Sequence, residues 1–317
     1  MKICRYLIEN EEQLGFYFDE TIVPLDEAAG AYGETVDDIS LDLGGGILAL
    51  MPGGAMAEPA HRLADWVEAH EDIRAAIGVR TSDVTLLAPL GSPSKILLLA
   101  GNYAAHIEEE GKVALERAET FPYLFTKPAT TVNHPNAPVV IPSVSPDSID
   151  YECELGVIIG KRARRVSEAT ALQHVAGYTV INDISDRRYK PFPERKPRER
   201  DAFFDWMHGK WHDGFFPMGP CMTSARTIPD PQRLALTMHV NGELRQSAST
   251  GHMIFPVAAL IEFITRTITL EPGDIIATGT PAGIGMTTGR FLKPGDTLDS
   301  AIEGIGILHN TMAADPN

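Results

Sequence analysis

The stretch "DYECELGVIIG", residues 150–160, sets Glu152 and Glu154 one residue apart at the mouth of an apolar run. Side chains of a strand alternate between its faces, so the two glutamates project together while Cys153 and Leu155 face the other way. Carboxylates that close repel each other, and burying either one unpaired is costly. A positive group between them resolves the conflict; a solvent-facing strand avoids it. Downstream, Asp183 ends a second apolar run in "TVINDIS" and offers a third carboxylate. Three such oxygen donors suit a hard cation, Mg²⁺, Mn²⁺ or Ca²⁺. The Glu-x-Glu spacing alone is equally that of a solvated strand.

Strand-like runs recur on both sides of this stretch: "YLFTKP", "APVVIP", "GYTVINDIS", "ALTMHVNGELRQ" with a hairpin-like Asn241-Gly242, "GDIIATGTP" and "AIEGIGILHN". Only two segments beyond residue 90 read as helices: "SEATALQHVAG", with Ser167 as N-cap, and "FPVAALIEFITRTI". Many strands with few helices between them indicate an α+β, mainly β body rather than a doubly wound sheet. Before residue 60, short apolar runs alternate with turns, and the glycines of "LGGGILALMPGGA" disfavour a helix there. Leu63, Trp66, Val67, Ile73 and Ile77 then recur at helical spacing up to Gly78, a C-terminal cap. Pro89 and Pro93 punctuate a linker, so residues 1–90 are expected to form a small β-rich domain with a helix, and 91–317 a second, larger domain. "EPGD" and "KPGD" are expected to be two turns feeding strands. The Pro-rich, charge-dense segment 191–206 reads as a solvated loop, with a substrate lid as the alternative.

The chain carries 27 Lys plus Arg against 43 Asp plus Glu, a net charge of −16, which repels polyanions and argues against a nucleic-acid partner. No apolar run is long enough for a membrane helix, and the N-terminal stretch lacks the pattern of a secretory leader, so a cytosolic protein is expected. Cys4, Cys153 and Cys221 are too scattered for a thiolate metal site or a disulfide framework and are expected to be buried apolar residues.

Four motifs in order, "DYECELGVIIG", "NDISDR", "GKWHDGFFPMGP" and "GDIIATGTPAGIG", resemble the fumarylacetoacetate hydrolase superfamily over about residues 93 to 311. The resemblance implies a mixed β-sandwich roll, a homodimer, and one divalent cation per subunit, Mg²⁺ or Mn²⁺ before Ca²⁺, on Glu152, Glu154 and Asp183. The segment "GNYAAHIEEEG" is similar to the family's GxNYxxHxxE element, which implies His106 and Glu109 as a catalytic pair. Their spacing puts both on one face of a short helix, where the carboxylate orients the imidazole. Lys210 matches the family lysine, implied to neutralise charge on a substrate oxygen. Tyr103, Arg187, Lys190 and Thr280 are implied substrate contacts, although Lys190 stands where the family shows Gln, and His212 replaces a common aromatic. The implied partner is a small 2-oxo or β-diketo acid, cleaved hydrolytically at a carbon–carbon bond to release pyruvate or a related acid, as in the catabolism of aromatic compounds or sugar acids. Decarboxylation, hydration or isomerisation of a 2-oxo acid on the same scaffold is the alternative. A calcium-stabilised β protein without activity would explain the carboxylates but not His106, Glu109, Lys210 and Arg187.

Overall fold

A computed structural model of the chain describes residues 1–36 and 39–316. The decisive apolar run becomes a strand, Cys153–Ile159, buried along its whole length. It pairs antiparallel with Val175–Asn182, Cys153 opposite Asn182, and on its other edge with Ile275–Ala277. Those pairings lie at the centre of a large sheet. From one edge to the other its main path runs Val79–Arg80, Thr21–Pro24, Glu11–Phe18, Lys2–Ile8, Phe216–Ser224, Val175–Asn182, Cys153–Ile159, Ile275–Ala277, Ile96–Ala100 and Tyr123–Thr126. A second sheet of five strands, Glu243–Ser249, Ala235–Val240, Thr297–Ile302, Gly306–Ala314 and Pro138–Ile141, covers one face of it.

Alternation along the central strand divides the core in two. Leu155 and Val157 pack, with Val180, against Leu236, Met238 and Leu308 of the second sheet. Ile158 points the other way, into a cluster with Ile181, Met222 and the helix Ala57–Ala69 through Leu63 and Val67. Cys153 therefore faces the sandwich interior, and all three cysteines are buried. The glutamates share the face of Ile158. Gly156 between them suits this packing, since a Cβ there would lie 2.4 Å from Ile181 Cδ1.

The α+β, mainly β class is the architecture found. The hairpin at Asn241-Gly242 has both residues at positive φ, 53° and 76°, and Gly273 and Gly295 of the two Pro-Gly turns are at 88° and 91°. Several elements differ from the sequence reading. Phe216–Ser224 is a fully buried inner strand that Pro217 and Pro220 hide; Pro220 falls where its pairing with Val175–Asn182 shifts register, so no ladder donor is missed. Leu25–Thr35 is a helix with only Leu25 and Ala28 buried, too little apolar face to show a period. The glycine-rich stretch does contain one helical turn, Gly46–Ala49, which buries Ile47. The helix read up to Gly78 breaks at His70 into Ala57–Ala69 and Glu71–Ile77. The segment opened by Ser167 is helical only over Glu168–Ala171 before tightening, whereas Val257–Thr267 is a full helix. Segment 191–206 is not loop throughout, because Asp201–His208 is helical. The large sheet runs through residue 90, with Lys2 paired to Thr223; we retain the division at 90 as a proposal about folding units. Among the described residues, no helix is long and apolar enough to cross a membrane.

Candidate metal centre and active site

The register that pairs Cys153 with Asn182 also brings the carboxylates together. Asn182 Oδ1 accepts the Glu152 N–H at 2.9 Å, and the Asp183 N–H donates to the Glu152 carbonyl at 2.9 Å. One carboxylate oxygen from each of Glu152, Glu154 and Asp183 then lies within 4.8 Å of the others, all three residues being buried. Three buried cations answer them. Lys210 Nζ donates to Glu152 Oε2 at 2.9 Å and to Asp183 Oδ2 at 2.5 Å. Arg187 bridges Asp150, at 2.9 Å, and Glu152. Lys127 pairs with Asp183 while donating to the carbonyls of Ile184, 2.9 Å, and Phe215, 2.6 Å.

The pairing is uneven, and the proton affinities follow it. Burial pushes Glu152 up, but Lys210 and Arg187 outweigh burial and hold its carboxyl well below the usual range. Burial pulls Lys210 down, and Asp183 and Glu152 more than restore it. For Lys127 the balance goes the other way, and burial brings it to about 8 despite Asp183. Among the described residues Glu154 has no ion-pair partner of its own: burial, then Asp183 and Glu152, drive its pKa well upward. Its Oε2 accepts the Gly279 N–H at 2.7 Å, in a turn that needs Gly279 at φ +88°, while among the described residues its buried Oε1 has no hydrogen-bond partner. An unpartnered buried carboxylate oxygen beside two further carboxylates fits a hard divalent cation, which would take Glu154 in its ionised form.

His106 stands on the helix Ala104–Glu109, and its Nδ1 lies 2.8 Å from Glu109 Oε1. Glu109 is itself fixed, its Oε2 accepting from the Gly283 N–H at 2.9 Å and the Thr287 hydroxyl at 3.0 Å. With Nδ1 bound to a carboxylate, Nε2 is the nitrogen left to accept a proton. His106, Glu152, Arg187, Lys210 and Thr280 all line one cleft of about 480 Å³.

Other implied contacts are placed differently. The Thr280 hydroxyl donates to the Cys153 carbonyl at 3.0 Å and accepts from Gln246 Nε2 at 2.8 Å, so it ties the turn to the ligand strand. Arg187 is committed to Asp150 and Glu152 and holds Glu152 in place rather than offering a free fork. Tyr103 is buried, its hydroxyl unpartnered among the described residues, and it does not line the cleft. Lys190 is exposed and outside the cleft lining. His212 packs on Tyr189 and Phe215. Within 191–206, Arg195 and Arg198 bind Asp201, at 2.9 Å each, and tie the preceding segment to the start of the helix Asp201–His208. Sequence reasoning passed over Lys127, Asp150 and Trp206. A lysine closing the apolar strand "YLFT" was the one available sign of the first.

Residues 95–313 match the family model described as fumarylacetoacetate (FAA) hydrolase C-terminal. The chain is 38% identical over 269 residues to oxaloacetate tautomerase YisK of Bacillus subtilis, covering 84% of this chain and 85% of that one. Among solved structures it is similar to fumarylacetoacetate hydrolase from Exiguobacterium antarcticum, with TM-score 0.74, 31% identity, and 99% and 100% of the two chains covered. Maleylpyruvate hydrolase from Sphingobium sp. SYK-6, in complex with manganese(II) and pyruvate, aligns with TM-score 0.71 and 26% identity over 99% of both chains. Matched motifs, matched fold and a family model covering most of the chain make this protein a member of the fumarylacetoacetate hydrolase family.

Proposed function

We propose that this chain is a divalent-metal-dependent enzyme that moves a proton between C3 and the 2-oxygen of a 2-oxo acid, interconverting keto and enol forms. The observation that carries this reading is the His106–Glu109 pair, one oriented base opening into the same cleft as Glu152 and Lys210. The kinship with an oxaloacetate tautomerase supports it.

Glu152, Glu154 and Asp183 would hold the cation, Mg²⁺ or Mn²⁺, which when bound supplies Lewis-acid polarisation of the substrate's oxygens. His106 Nε2 takes the C3 proton as the C2=C3 bond forms, and Glu109 on Nδ1 stabilises the imidazolium. Negative charge gathers on the 2-oxygen, which the Lys210 ammonium stabilises and protonates; His106 then releases its proton to solvent and Lys210 regains one from it. Buried Arg187 and Lys127 keep Glu152 and Asp183 ionised and in place. The assembly we propose is a homodimer in the cytosol.

A second reading is hydrolysis of a carbon–carbon bond in an acylpyruvate-type acid, with the same pair taking its proton from water. The likeness to a maleylpyruvate hydrolase holding pyruvate favours it. Both are tested by adding the enol form of oxaloacetate, and separately an acylpyruvate, to the protein with Mg²⁺ and following each by NMR. Accelerated ketonisation without new carbon fragments supports the tautomerase. Release of pyruvate and a carboxylic acid from the acylpyruvate, with no effect on the enol, replaces it with the hydrolase.

A further inference from the structure

The cleft is longer and more apolar than a four-carbon diacid requires. Its outer wall is set by the edge strand Tyr123–Thr126, whose one face carries Phe125 and Tyr123, with Phe121 continuing the same alternation. Phe125 begins next to the reacting end: Lys210 Nζ sits 5.1 Å from its ring centroid, and Trp206 packs on it at 4.8 Å. Phe121 stands edge-on to Tyr123 at 5.1 Å and is backed by Phe263 at 6.3 Å. Exposure is 8% at Phe125 and much higher at the other two rungs, 60% at Tyr123 and 56% at Phe121. Phe121 and Phe125 are four residue steps apart, at most about 13 Å at roughly 3.3 Å per residue of extended chain, against well under half that for a four-carbon chain.

The charges at the outer end point the same way. Lys112 is the cation of the cleft lining there, and its Nζ is bound to Glu110, also of the lining, at 2.5 Å. At the inner end Arg187 and Lys210 are paired with the carboxylate cluster. A second carboxylate at the outer end of a substrate would meet Glu110 and aromatic faces, and among the described residues the Lys and Arg side chains of the lining, Lys112, Arg187 and Lys210, each already face a carboxylate. Val113 and Leu115, 83% and 47% exposed, add apolar surface to the same lining.

We propose that the ladder Phe121–Tyr123–Phe125 is the specificity subsite of the cleft and selects 2-oxo acids whose far end is an uncharged apolar group of phenyl size or longer, over diacids. This rests on the proton-transfer reading above and names its substrate class.

The test is the exchange of C3 protons into D₂O, followed by NMR with Mg²⁺, for 4-phenyl-2-oxobutanoate against 2-oxoglutarate and oxaloacetate. The phenyl acid is expected to exceed 2-oxoglutarate about tenfold in kcat/KM. Phe121→Ala, at a half-exposed position where folding is not at stake, is expected to cost the phenyl acid about tenfold, carried by KM, and 2-oxoglutarate at least fivefold less. Diacid preference in the wild type, or equal losses on both substrates in the variant, overturns the subsite. A variant whose oligomeric state changes in sedimentation while both substrates slow alike overturns it too, and assigns the ladder to contact with a second copy. Exchange on none of the acids overturns the proton-transfer reading itself and the subsite with it.

Discussion

The two ends of the cleft are built on opposite principles. At the inner end, Glu152, Glu154 and Asp183 are buried, Glu152 and Asp183 facing two lysines and an arginine and Glu154 a backbone donor, with Glu154 Oε1 left unpartnered among the described residues. At the outer end, Phe121, Tyr123, Val113 and Leu115 stand exposed with few fixed contacts. Buried charge has to be satisfied or neutralised, which fixes geometry; exposed apolar surface costs little and leaves shape free to suit a ligand. Chemistry is thus set at the rigid end and selectivity at the open one.

The contrast is sharpest at Asp183. Asp183→Asn leaves Lys127 and Lys210 facing a neutral group, and is expected to destabilise the fold by about 3–5 kcal/mol and to weaken metal affinity by at least about a hundredfold. Thermal unfolding and a metal titration check both; a fold and affinity like the wild type would place the cation elsewhere. Glu109→Gln removes the carboxylate that orients His106 while keeping its shape. The expected result is a kcat loss of roughly a hundredfold with KM and metal affinity near wild type, read from steady-state kinetics; a loss confined to KM would make Glu109 a binding group.

Glu154 provides a pH test. Its folded pKa is raised above the unfolded value, so between the two the folded state binds the extra proton, and metal-free stability from this group falls as pH rises through the folded pKa. A cation takes the ionised form, so the stabilisation on adding Mn²⁺ is expected to be larger at about pH 8 than at about pH 6. An equal rise in Tm at both would contradict Glu154 as a ligand. At the outer end effects shrink: Lys112→Ala, losing an exposed pair, is expected to change stability by less than about 0.5 kcal/mol.

Legibility in the sequence follows the same division. Glu152, Glu154 and Asp183 could be found because strand alternation and motif order both point to them; His106 and Glu109 were reached through the resemblance of "GNYAAHIEEEG" to a family element, their helical spacing alone being equally that of a surface histidine beside a run of glutamates. Arg187 was visible as a residue but not in its partners: nothing in the local sequence says that Asp150 and Glu152 close on it across the two-stranded piece Ile149–Asp150 and Ser185–Asp186. The inner strand Phe216–Ser224 was hidden by its two prolines; the place of Pro220 depends on a register shift against the neighbouring strand. Trp206 lay in a stretch whose charge density reads as loop, and the contacts that hold its helix, Arg195 and Arg198 on Asp201 and Trp206 on Phe125, appear only once the chain is folded. Local periodicity is written in the chain; which distant charges meet is decided by topology.

The most direct test of the account is C3 proton exchange of a 2-oxo acid in D₂O with Mg²⁺, comparing wild type with His106→Gln. The expected result is metal-dependent exchange in the wild type, reduced by about 10²–10⁴-fold in the variant with its metal affinity intact. Exchange that survives the substitution, or that needs no metal, would contradict it.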